Sequence, residues 1–200
     1  MLSSLLVRGQ QQYATHAAAQ SPNAAATSRT IDVSLGYSYL SRRDSLSNRV
    51  GLNGADASLT IGLNSHLAVR ADLGYGRASN VGGSARHSDV LSYLAGPILY
   101  PTTHRRVDTY VHALAGAARV TGPILLNGGG FFDGSWVNQF AWAVGAGAEY
   151  WVSDSMAIRT GVDYLRTAYF DPSIVIRGQN NIRTTAAVVY FFGKHSRVRR

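Results

Sequence analysis

The tightest constraint in this chain is an alternation of period two that recurs eight times. Ile31, Val33, Leu35, Tyr37 and Tyr39 alternate with Asp32, Ser34, Gly36 and Ser38. Ala55, Ala57, Leu59, Ile61 and Leu63 alternate with Asp56, Ser58, Thr60 and Gly62. Leu67, Val69, Ala71, Leu73 and Tyr75 alternate with Ala68, Arg70, Asp72 and Gly74. An extended backbone sends successive side chains to opposite faces, so each segment is a strand with one apolar face and one small or polar face. A helix would need apolar positions at 3.6 spacing, which these segments lack. Residues 90–100, 107–119, 138–151, 157–167 and 181–192 continue the series, with weaker alternation in the middle. Pro97 lacks a ladder donor, so the fourth strand is expected to carry a bulge.

Strand length then separates two kinds of barrel. The segments are about 11 residues long, whereas a globular strand averages ~5–6 and a tilted membrane-spanning strand needs ~9–11. The connections at 64–66, 101–106 and 152–155 are short, and those at 42–53, 78–89, 120–137 and 168–180 are longer. Short turns on one side and long loops on the other fit an all-β, eight-stranded antiparallel up-and-down transmembrane barrel of meander topology, with its short turns and both termini in the periplasm. With odd strands running outward, Tyr37, Tyr39, Tyr75, Tyr93, Phe140, Trp142, Tyr164, Tyr169 and Phe170 fall at the outer rim. Tyr100, Tyr110, Tyr150, Trp151, Tyr190, Phe191 and Phe192 fall at the inner rim. Two aromatic girdles around an aliphatic band suit the two bilayer interfaces.

Composition agrees. Charged residues make up 15%, against about 25% in an average soluble domain. A hydrophobic fraction of 46% argues against disorder. The absence of cysteine excludes a disulfide scaffold, a thiolate zinc site and a thiol nucleophile. The net charge of +8 comes almost wholly from arginine, because Lys194 is the only lysine. These arginines sit in short connections and in the last residues, without a nucleic-acid motif, so a phosphate-rich membrane surface fits them better than nucleic acid. Residues 30–193 form the barrel. Residues 1–29, with Ala-rich stretches after a short apolar start, read either as a signal-peptide remnant or as a disordered tail. Residues 194–200 read as a basic periplasmic tail.

In a membrane barrel the apolar face looks outward and the other face fills the middle. That second face carries Asp32, Asp56, Arg70, Asp72, His112, Glu149, Arg159, Asp163 and Arg183. In a narrow lumen these groups must pair, because an unpaired buried charge is costly. They form either a structural ion-pair network or a gate, and His112 is either a hydrogen-bonded interior residue or a proton sensor. An eight-stranded interior is about filled by its own side chains, so no general porin channel is expected. Arg42, Arg43, Arg49, Arg77 and Arg86 fall on the outer loops or rim. Their planar forks suit lipid-A phosphates, the alternative being a solvated basic rim. His87-Ser88-Asp89 has hydrolase-like residue types, but neighbours in a loop do not make a nucleophile–base geometry. Gly128-Gly129-Gly130 lacks the strand–loop–helix setting of a phosphate cradle. No catalytic residue, cofactor or metal is expected.

Val33-Ser34-Leu35-Gly36-Tyr37-Ser38-Tyr39, Leu94-Ala95-Gly96-Pro97, 111–119 and Gln179-Asn180-Asn181-Ile182-Arg183 resemble the OmpA-like family of small outer-membrane barrels. They look especially like a group of predicted barrel proteins from acidobacteria-type genomes. The likeness covers about residues 30–193. It implies a bacterial outer-membrane location in Gram-negative cells and assembly by the outer-membrane insertion machinery. That machinery reads a last strand ending in an aromatic residue, for which Tyr190 and Phe192 are the candidates. Outer-membrane lipids, including lipid A, are the expected partners, and the expected state is a monomer. The leading expectation is therefore a barrel with a structural or surface-interaction role. One alternative is a barrel enzyme acting on lipid A or phospholipid. Another is a soluble lipocalin-like carrier, which needs Val33, Leu35, Leu59 and Leu73 to point inward.

Overall fold

The computed structural model describes residues 31–43, 49–79, 86–103, 106–125, 131–170 and 176–192. Each alternating segment is a strand: β1 (Ile31–Arg43), β2 (Arg49–Gly62), β3 (Leu67–Ala78), β4 (Ser88–Thr103), β5 (Val107–Leu125), β6 (Phe131–Trp151), β7 (Met156–Phe170) and β8 (Ile176–Phe192). Every strand pairs antiparallel with its sequence neighbours, and β1 closes the ring on β8 from Ile31↔Phe192 to Ser41↔Ile182. Closure matters because hydrocarbon offers no partner to a free backbone edge.

The two faces are inverted relative to a soluble barrel. Leu35 is 66% exposed, Phe140 68% and Val144 44%, while Glu149 is 1% and Arg183 2% exposed. Val33, Leu59 and Leu73 also look outward, which overturns the lipocalin-like alternative. The lumen holds three stacked zones. Leu40, Leu52, Val90, Leu94, Leu114 and Leu165 pack together toward the outer end. The ionic side chains occupy the middle. Trp151, Ala157, Val189 and Phe191 close the inner end beside Ala68, Ile98 and Tyr110. Trp151 stacks on Phe191 with ring centres 4.2 Å apart, and such a pair contributes about 0.5–1.5 kcal/mol beyond its buried area.

The inner aromatic girdle is thinner than the sequence reading expects. Tyr110, Trp151 and Phe191 are buried in the lumen, and Tyr100 packs against that inner cluster. Parity is the reason, since Tyr150 and Trp151 are adjacent and cannot share a face, nor can Phe191 and Phe192. Tyr150, Tyr190 and Phe192 are the ones left facing lipid. The side chains of Tyr169 and Phe170 lie outside the described residues.

The outer loops are shorter than expected because the strands run on. Residues 120–125 and 131–137 form paired strand, with Val120↔Val137 and Leu125↔Phe131 and a register shift between Val120 and Gly122. Arg49 to Asn53 likewise belong to β2. Past Leu99 the β4–β5 register also shifts, between Leu99 and Thr102, a few residues from Pro97. At the inner end Asn64 Oδ1 accepts from the backbone N–H groups of His66 and Leu67 at 2.9 and 2.8 Å, which shapes the first short turn.

Candidate functional site

Hairpin register builds the first contacts of the ionic zone. Asp163 stands directly opposite Arg183 across β7–β8, and Glu149 opposite Arg159 across β6–β7. Barrel closure brings in the rest from the far wall. Arg183 Nη2 lies 2.6 Å from Asp163 Oδ2, and its Nη1 lies 2.7 Å from Asp72 Oδ1 and 3.3 Å from Asp56 Oδ2. Arg159 Nη2 lies 2.7 Å from Glu149 Oε1 and 3.0 Å from Asp32 Oδ1, while its Nη1 donates to Ser58 Oγ at 3.2 Å. Room for the buried network comes from glycine, and a Cβ on Gly74 would meet Arg183 Nη1. A Cβ on Gly145 would collide with Asp163 Oδ1 and crowd His112, and one on Gly147 would strike the Tyr110 ring.

Arg70 and His112 join the two cages into one chain. Arg70 Nη2 lies 3.8 Å from Glu149 Oε1, its Nε donates to Thr60 Oγ1 at 3.4 Å, and its guanidinium sits 4.8 Å from the Tyr110 ring centre. Arg70 Nη1 is 3.3 Å from His112 Nδ1, and His112 Nε2 is 2.9 Å from Asp163 Oδ1. Arginine can only donate, so Nδ1 accepts and the ring proton faces Asp163. The nine interior residues proposed from sequence thus meet in one continuous network, all of them buried. Sequence reading missed Asp108, which is buried below them and accepts from Trp151 Nε1 at 2.6 Å. Its parity with Tyr110 and His112 was the available signal. Among the described residues, no group of three His, Cys, Asp or Glu side chains is arranged to hold a metal ion.

The rim arginines separate. Arg42 corrects its sequence assignment: it is 3% exposed and points into the lumen, two residues past Leu40 on the same face. Arg49 is exposed, Arg86 is half-buried, and the Arg43 side chain lies outside the described residues. Arg77 is half exposed on the outer surface, with its Nε 3.7 Å from Asp89 Oδ1. Arg119 and Arg166 are also exposed there, and Arg119 lies 5.1 Å from the Trp136 ring centre. Sequence reading left these two out because they fall inside strands. In His87-Ser88-Asp89, Ser88 is fully buried and donates to the Thr121 carbonyl at 2.7 Å, while His87 Nε2 sits 3.5 Å from Asp89 Oδ2. The serine is therefore engaged with backbone rather than with the histidine. Gly128-Gly129-Gly130, residues 1–29 and residues 194–200 lie outside the described residues. At the end of β8, Tyr190 and Phe192 are exposed and meet edge to face at 4.9 Å.

An apolar exterior, a buried ionic lumen and strands long enough to cross a bilayer define a transmembrane β-barrel. The chain belongs to the outer membrane protein beta-barrel domain family, whose model matches residues 13–191, and it is a protein of the bacterial outer membrane. Among solved structures it is similar to Neisserial surface protein A, with 18% identity and a TM-score of 0.63 over 81% of this chain and 97% of that one. It is also similar to Ail, the attachment invasion locus protein of Yersinia pestis, with 14% identity and a TM-score of 0.57 over 82% and 99%. OprG from Pseudomonas aeruginosa shares 11% identity at a TM-score of 0.53 over 82% and 96%. At these identities the likeness is one of fold. No curated protein matches the chain.

Proposed function

We propose that this barrel is a non-enzymatic surface protein that presents its outer hairpins to the exterior and does not act as a general porin. The observation that carries the reading is the overhang of β5 and β6. They run 19 and 21 residues, whereas a span needs ~9–11. The excess stands at the outer end, because the β6–β7 ladder stops at Trp142↔Arg166 while β6 continues to Phe131. A membrane anchor alone has no need of it. The stacked lumen supports the closed half of the reading. Tyr190 and Phe192 at the end of the last strand serve as the signal read by the insertion machinery.

Because the chain has no cysteine, single thiols can report sidedness. Trp136→Cys on the overhang is expected to react with a membrane-impermeant maleimide on intact cells. Asp154→Cys, in the short turn after β6, is expected to react only after permeabilisation. The reverse pattern would reject surface presentation.

A further inference from the structure

The lipid-facing wall is not uniformly bulky. Ala71, Ala95 and Ala115 stand side by side at mid-height on β3, β4 and β5, paired as Ala71↔Ala95 and Ala95↔Ala115. With Leu59, Leu73 and Tyr93 around them they leave an open apolar recess of about 620 Å3. In a bilayer such a hollow is filled by hydrocarbon, since an empty one forfeits dispersion contacts.

Two cations stand above that floor on the same outward face. Arg77 follows Ala71 by six residues on β3, and Arg119 follows Ala115 by four on β5. At a rise of ~3.4 Å per residue they sit roughly 14–20 Å along the strand from the recess. Strands tilted ~35–45° turn that into roughly 10–17 Å along the membrane normal, and half of a ~25 Å apolar band is about 12 Å, so this is headgroup height. Only β4 separates their strands, and a two-residue stagger along it sets their backbones roughly 12 Å apart. Arg119 is braced on Trp136, and Arg77 by Asp89, which also accepts from Tyr75 Oη at 2.8 Å. One carboxylate among two guanidiniums leaves this patch positive.

We propose that the β3–β5 face binds one molecule of diphosphorylated lipid A, with acyl chains in the recess and its two phosphates on Arg77 and Arg119. Acyl groove and paired cations lie on one face, a distance apart that suits a lipid with a wide, twice-charged headgroup. Planar forks at both positions favour phosphate over a zwitterionic headgroup. The proposal rests on the membrane location and is independent of the surface-presentation reading.

The test is native mass spectrometry of the folded barrel in detergent, offered diphosphoryl lipid A or phosphatidylethanolamine, after heat-modifiable mobility has shown each variant to be folded. Wild type is expected to retain one lipid A in preference to phosphatidylethanolamine. Arg77→Gln and Arg119→Gln are each expected to weaken that retention about fivefold, the worth of one interfacial cation. Arg166→Gln, on the outer rim of β7 beside Trp142, is expected to leave it unchanged. Ala95→Phe fills the recess and is expected to weaken retention with both arginines intact; Ala115→Val serves if the ring blocks insertion. Equal retention of the two lipids would overturn the proposal. So would a loss in Arg166→Gln as large as that in Arg77→Gln, or an unaffected recess variant.

Discussion

Arg183 has carboxylates of three residues within 3.3 Å, drawn from β2, β3 and β7. Its removal strands Asp56, Asp72 and Asp163 in a lumen with little water to solvate them. Breaking a buried pair from one side costs about 3–5 kcal/mol, so Arg183→Met is expected to lose that much unfolding free energy. Urea titration in lipid vesicles, followed by tryptophan fluorescence, would read it. Adding Asp163→Asn to the same chain is expected to recover part of the loss, because the two changes share one network. A cost below about 1 kcal/mol would mean that the lumen is wet. Which residues face inward was legible from parity, and two contacts were legible from hairpin register, Asp163–Arg183 and Glu149–Arg159. The reach of Arg183 to Asp56 and Asp72, and of Arg159 to Asp32, depends on ring closure and had no local signal. Arg42 was misread because Ser41 and Arg43 beside it look like loop, although its parity with Leu40 sends it inward.

At the scale of the element, the strands were legible where lipid imposes a rule and illegible where it does not. From Ile31 to Tyr39 one face must be apolar, and the alternation is strict. Residues 120–125 and 131–137 lie past the outer end of the β6–β7 ladder. On the surface-presentation reading, ladder hydrogen bonds hold them with no demand for a greasy face, so Gly122 and Gly134 read as loop. The same rule makes the cost of a charge depend on depth along one strand. Leu59 and Ala55 lie on the outward face of β2, four residues apart, with Ala55 between Tyr37 and Tyr75 of the outer girdle. Leu59→Arg is expected to cost about 2–4 kcal/mol and Ala55→Arg about 0–1 kcal/mol, measured as refolding free energy into vesicles. Equal costs at the two sites would put the membrane band elsewhere on the barrel.

On the closed-lumen reading proposed above, the barrel acts as three seals in series. The outer aliphatic zone, the ionic zone and the inner aromatic zone are stacked along the lumen. An ion crossing the lumen must pass every one, and the resistance of the tightest remaining zone sets the current. Opening one end should therefore not open the pore. Trp151→Ala with Phe191→Ala removes the inner stack yet leaves the Arg159 and Arg183 cages spanning the ring. In planar bilayers this double variant is expected to stay as silent as wild type. Current is expected only when the inner pair and an arginine cage are removed together, for instance with Arg159→Ser and Glu149→Ser added. Paired removal keeps the charge count level and leaves one carboxylate, Asp32, without its Arg159 partner rather than two. Porin-sized steps from the wild-type protein would reject the closed lumen at once. Steps from the inner double variant would show instead that the ionic zone is a hydrated gate and that the aromatic stack alone is the seal.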